Sequence, residues 1–186
     1  ARLALAGILA HTDAKEAGAG GVRAAALREQ VAALWWPAVA VHQRLLALVE
    51  TGVAGRPYVA NIDLAWTRGE EYYAAPWRGR WETELGGVLL GHAVHLLDMA
   101  VLVLGPPVAV SARVATLVND IDTEDCAVAT LRWADGSLAS LSATLGSAVE
   151  LSRHRFTFEH LTAESGTDPY TNSFDPWTFT ASPGHE

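Results

Sequence analysis

The clearest alternation along the chain is "GRPYVANIDLAWTR", in which Tyr58, Ala60, Ile62, Leu64 and Trp66 share one face of a predicted strand. Upstream the period is helical. "VRAAALREQVAALWW" sets Leu27, Val31, Leu34 and Trp35 at helical spacing among good helix formers. Pro37 suits the first turn of a second helix, "PAVAVHQRLLALVETG", which Gly52 ends. Residues 88–104 are almost wholly apolar and predict a further helix. After "GPP" the pattern turns to strands over 108–118, 125–134 and 137–146. In the last of these Ala139, Leu141, Ala143 and Leu145 face one way, and Ser140, Ser142 and Thr144 the other. "RHRFTFEHL" sets Arg153, Arg155, Thr157 and Glu159 opposite His154, Phe156, Phe158 and His160, and the charged side predicts an ion-pair ladder. Asp135-Gly136 predicts a two-residue hairpin turn. Early helices and consecutive later strands indicate an α+β fold with a mainly antiparallel sheet.

One stretch has no period. "GEEYYAAPWRGRWETELGG" reads as a long ordered loop, and such loops commonly carry function. With the end of the preceding strand it gathers Arg68 and Arg78 among Trp66, Tyr72, Tyr73 and Trp77. These residues are candidates for substrate binding: the rings as stacking walls, the guanidiniums for anions or carbonyl oxygens. The plainer alternative is an apolar loop on the sheet with arginines reaching outward. Glu124-Asp125, at the start of a strand, reads as a turn or cap.

The 88–104 helix raises a sharper question. His92, His95 and Asp98 stand at i, i+3 and i+6, and Gly91 lies one turn before His95. Glycine within a helix costs about 1 kcal/mol relative to alanine, which points to a close approach there. Two readings stay open: core histidines bonded to their surroundings, or a catalytic acid or base, His95 with His92, beside a ligand pocket. No metal is expected, because zinc-binding helices space their histidines at i and i+4 with a glutamate between.

Composition narrows the partners. The chain has 186 residues, half of them hydrophobic and 18% charged, enough to bury a real core. Its formal charge of −8 and single lysine, Lys15, argue against a nucleic-acid partner. The polar groups at His92, His95 and Asp98 argue against a membrane span in the longest apolar run. One cysteine, Cys126, excludes an internal disulfide and fits a reducing, cytoplasmic setting.

"GGVLLGHAVHLLDMAVLVLGPPVAVSARVATL" followed by "DTEDCAVATLRWADGSLASL" resembles the C-terminal domain of the Gfo/Idh/MocA oxidoreductases. "PAVAVHQRLLALVETGVAGRPY" resembles the segment that joins the two domains of that family, and "EYYAAPWRGRWE" an active-site loop in one of its branches. The resemblance runs from about Pro37 to Phe179. It implies a substrate and oligomerisation domain over 37–186, built as an open antiparallel sheet with helices packed on one face; residues 1–36 read as a flexible or helical segment before it. It implies a homodimer through the open sheet face. It also places the family's acid–base histidine at His95, with Gly91 where the family usually has Asp or Asn.

The family's nucleotide-binding features are not found in the sequence. "GAGGVR" at 18–23 follows no predicted strand, and Lys15 lies in "AKEA" rather than in a Glu-Lys-Pro motif. The expectation is therefore no cofactor in this chain, with NAD(P) entering only through a separate nucleotide-binding domain. Three functions are compatible with these residues. The leading one is a stand-alone, cofactor-independent enzyme or binder, in which His95 and His92 assist proton transfer, isomerisation or cyclisation of a carbonyl or polyol substrate. The second is a truncated or split NAD(P)-dependent oxidoreductase. The third is a non-catalytic dimeric binding or scaffold protein.

Overall fold

Alternation along Pro57–Thr67 produces β1, the strand on which the sheet is built. The computed structural model describes residues 43–170, 172 and 176–185. The helix predicted over 22–36 and the rest of the segment 1–36 lie outside them. The described part begins in helix α1 at residues 43–50, and Gly52, at φ 77°, turns the chain out of it.

Seven strands make up the sheet: β1, β2 (Ala109–Ala115), β3 (Cys126–Arg132), β4 (Leu138–Thr144), β5 (Gly146–Phe158), β6 (Leu161–Glu164) and β7 (Thr178–Ala181). Their order across it is β2-β3-β4-β1-β5-β6-β7. Only β1 and β4 run parallel; every other pairing is antiparallel. The expected α+β architecture with a mainly antiparallel open sheet is the one found.

The inner face carries Ala60, Ile62, Leu64, Ala139, Leu141, Ala143, Phe156 and Phe158, all buried. Helix α4 (Val94–Leu104) lays Leu96, Met99, Ala100 and Val103 on the core side. Alanines in facing strand positions let helix and sheet approach closely. The outer face is open and polar. Across it run Ser111, Thr130, Ser140, Asn61 and Arg155 in one row, and Arg113, Val128, Ser142, Asp63 and Arg153 in the next. Arg153 bonds Asp63 at 2.7 Å and approaches Glu164 at 3.9 Å, while Glu159 pairs with Arg56 at 3.2 Å. The expected ladder thus consists of pairings to neighbouring segments.

Three local expectations need correction. The Asp135-Gly136 hairpin is not a two-residue turn: Trp133 and Ser137 pair, enclosing Ala134, Asp135 and Gly136, and Gly136 takes φ 89°. Asp135 Oδ1 accepts from both the amide and the hydroxyl of Ser137, which stabilises the longer loop. The 88–104 run is not uniform either, since Leu89–Ala93 is wound as a π-turn before α4 begins. Finally, "TDPYTNSFDPWTF" at 167–179, a turn-rich and aromatic tail with no strand expected in it, leads into β7.

The 24-residue stretch Trp81–Leu104 is apolar enough by composition to cross a membrane. Its backbone is interrupted, however: Leu85 adopts φ 61°, and Gly86-Gly87 separate a short helix, α3 (Trp81–Glu84), from the π-turn and α4. The buried side of α4 belongs to the core of the sheet domain.

Candidate functional site

The site forms where β1 ends. Trp66 and Arg68 leave the strand, a single helical turn, α2 (Glu70–Tyr73), comes next, and the loop returns Trp77 and Arg78 to the same place. Tyr72 is the hub. Arg78 Nη1 donates to its hydroxyl, and the Arg78 guanidinium lies 3.7 Å from the Tyr72 ring centre and 4.2 Å from that of Trp77. On its other side the Tyr72 hydroxyl is 3.4 Å from His92 Nε2. Arg68 lies over Trp66 and Tyr72, at 4.9 and 5.2 Å.

His92 is 8% exposed and meets Trp66 edge to face at 5.5 Å. Burial, and then the charges of Arg68 and Arg78, push its pKa down to about 4, so it is neutral at pH 7. The Tyr72 oxygen thus accepts from Arg78 while lying within reach of His92 Nε2, and His92 Nδ1 is buried with no partner among the described residues. Tyr73 packs edge to face on Tyr72, and burial raises its pKa to about 12, so it stays a donor. It lines a cleft of about 550 Å³ with Arg78, Arg80, Asp120, Ile121 and Asp122.

His95 and Asp98 are not buried: they lie on the outward side of α4, and neither bounds this cleft. It is His92 that joins Tyr72 and the arginines. The buried Leu96, Met99, Ala100 and Val103 lie on the side of the helix centred near His92, while His95 and Asp98 fall successively farther round it. Gly91, expected to mark a close approach, has nothing within 4 Å of where its Cβ would be.

Two contributors were missed from the sequence. Arg68 Nη1 bonds Glu150 Oε1 at 2.9 Å, and Nη2 donates to the Tyr170 hydroxyl at 2.8 Å. Burial opposes the Arg68 charge, but these two partners outweigh it and leave the pKa raised. Tyr170 packs on Trp66 at 4.8 Å, and Trp66 Nε1 donates to Ser152. The only sequence signal for Tyr170 was an aromatic in a turn-rich tail; Glu150 gave none.

Glu124 and Asp125 cap, as expected. The Glu124 carbonyl and Oε1 accept from the amides of Val88 and Leu89, and Asp125 accepts from three successive amides, 117 to 119. A Cβ on Gly87 would lie 1.8 Å from the Glu124 carbonyl oxygen. The amides just after the glycine pair are thus already taken by Glu124, and the described residues do not fit a dinucleotide pyrophosphate at this helix start. No group of three or more metal-ligating side chains occurs among the described residues.

An open sheet with one face under a helix thus carries a cluster of aromatic and cationic groups at its edge. Residues 42–163 match the GFO/IDH/MocA C-terminal domain, and the chain belongs to that oxidoreductase family. Among solved structures it is similar to the WlbA dehydrogenase from Bordetella pertussis in complex with NADH and UDP-GlcNAcA. That match has 32% identity and a TM-score of 0.67, over 77% of this chain and 44% of the other. A WlbA dehydrogenase from Chromobacterium violaceum, in complex with the same two molecules, matches at 30% identity and TM-score 0.66, over 76% and 41%. A levoglucosan dehydrogenase in complex with NADH and levoglucosan shares the fold, at 19% identity and TM-score 0.59, over 78% and 44%. The chain therefore spans less than half the length of these relatives. Comparison with curated proteins finds no match.

Proposed function

We propose that this domain is the substrate-binding part of a nicotinamide-dependent oxidoreductase acting on a sugar-type alcohol or carbonyl. The nucleotide-binding part would come from elsewhere in a longer chain or from a partner chain. The observation that carries this reading is the set of groups around Tyr72: two guanidiniums, three indole or phenol faces and a neutral buried imidazole. Aromatic faces stack on the apolar side of a sugar ring, and guanidiniums hold its oxygens or an attached anion. The WlbA relatives, bound to NADH and a nucleotide sugar, support the same class of substrate. In this reading His95, exposed beyond His92 on the helix, takes the proton of the reacting hydroxyl. His92 stays neutral and keeps Tyr72 in place.

We also propose that two copies pair through the open sheet face. Its small hydroxyl side chains, Ser111, Thr130, Ser140 and Ser142, leave a surface on which a second sheet can lie closely.

The competing reading is proton transfer by a free-standing enzyme without a nicotinamide cofactor. It uses the same histidines, so the assay must separate the two. Purified chain is titrated with NADH by tryptophan fluorescence and calorimetry, and the full-length protein is assayed for NADH formation from UDP-GlcNAcA and NAD. The expected result is no saturable NADH binding to this chain alone, with turnover only when a nucleotide-binding domain is present. Deuterium incorporation into a sugar substrate by this chain alone, in heavy water, would instead support the cofactor-independent reading.

A further inference from the structure

We propose that Arg68 anchors a carboxylate on the ligand, and that the Tyr170 hydroxyl holds that place until the ligand arrives. The proposal rests on the reading of this cleft as the substrate site. A count of the guanidinium's five N–H groups leads to it. Nη1 spends both of its hydrogens, one on the Thr67 carbonyl at 2.6 Å and one on Glu150 at 2.9 Å. Nη2 gives one to Tyr170. Nε has no partner among the described residues, although solvent does not reach it. Nε and Nη2 form one edge of the guanidinium, and Tyr170 is the partner on it among the described residues. The spacing of the two nitrogens matches the two oxygens of a carboxylate. A buried charged donor left unmade is costly, so the edge is poised to accept an anion.

Access depends on Tyr170. It is 58% exposed, and its named contacts are the Arg68 bond and the tilted packing on Trp66. Swinging it aside opens no core. Beyond it lies a cleft of about 490 Å³, bounded by Thr67, Arg68, Gly69, Glu71, Tyr72 and Tyr170. Gly69, on the same boundary, has nothing within 4 Å of its Cβ position. Glu71, on the rim, repels an anion and directs it toward Arg68.

The test follows the Arg68 side-chain Nε–H resonance by NMR during titration with D-glucuronate or D-glucose, which differ at carboxylate against hydroxymethyl. Arg68→Lys assigns the signal. The expected result is a saturable shift with glucuronate and binding of glucose at least about ten-fold weaker, as a charge-assisted pair requires. Tyr170→Phe, an exposed and conservative change, tightens glucuronate binding by removing the competing hydroxyl. Arg68→Lys weakens it at least about ten-fold by losing the fork. If Arg68→Lys does not fold, the sugar comparison and Tyr170→Phe still decide. Equal affinity for the two sugars, no saturable shift with glucuronate, or weaker binding in Tyr170→Phe would each overturn the anchor. None of these touches the oxidoreductase reading, which fails instead on absent NAD-linked turnover.

Discussion

Acidification should destabilise this domain well before its carboxylates protonate, and His92 is the cause. Its folded pKa is about 4, against 6.5 for the ordinary imidazole. The unfolded chain therefore takes up the proton first as pH falls, and each increment of protonation favours unfolding. The stabilisation is present in full above about pH 6.5 and is lost progressively down to about pH 4. At about 1.4 kcal/mol per pH unit the whole interval is worth about 3 kcal/mol, and solvent at the rim of the site reduces this to about 2 kcal/mol. Equilibrium urea unfolding of the native chain and of His92→Gln, between about pH 7 and about pH 4.5, measures it. Glutamine keeps a polar partner for Tyr72 but does not titrate. Contributions from other groups, including buried His154, are common to both proteins and cancel in the difference. The native chain should lose about 2 kcal/mol more than the variant over that range. Parallel pH profiles for the two proteins would refute the argument.

Gly87→Ala must move the 124 backbone and break the bonds from Val88 and Leu89, at 2.7 and 3.1 Å. A cost of about 3 kcal/mol should lower Tm by at least about 6 °C in a thermal scan, and a shift under about 2 °C would contradict it. His95→Gln changes an exposed residue, so Tm should hold while turnover of the full-length enzyme falls about 10²–10⁴-fold; full activity would remove His95 from the chemistry. Light scattering at tens of micromolar should return twice the chain mass, and Ser140→Arg, on the open sheet face, should reduce it to one; a native monomer would dispose of the proposed pairing.

The strands were legible because one face of the sheet is covered and the other is not. Ala139, Leu141 and Ala143 are buried while Ser140 and Ser142 are exposed, as the alternation required. Their order in the sheet was not legible. β1 lies in the interior of the sheet between β4 and β5, and those pairings join segments far apart in sequence, which no local period reports. The same distance hid half of the Arg68 environment: its partners Glu150 and Tyr170 are 82 and 102 positions away. The aromatic and arginine loop, by contrast, announced itself through composition alone, because Trp66, Tyr72, Trp77 and Arg78 are close in both sequence and space.

The helix histidines show where a local rule stops. An ideal helix puts His92, His95 and Asp98 on one broad face, which led to the expectation of a shared cavity. The core takes only one side of that face: Leu96, Met99, Ala100 and Val103 are buried on the side of His92, and His95 and Asp98 are exposed. The π-turn at Leu89–Ala93 begins where Glu124 holds the amides of Val88 and Leu89 and Gly87 admits the Glu124 carbonyl. His92 consequently completes a cluster formed within this chain. His95 is exposed, as are Leu90, Val94 and Val101. On the proposed reading the two histidines therefore belong to two layers: an inner one that grips the ligand with what this chain provides, and an outer one whose proton chemistry begins only when the nucleotide-binding part closes over it.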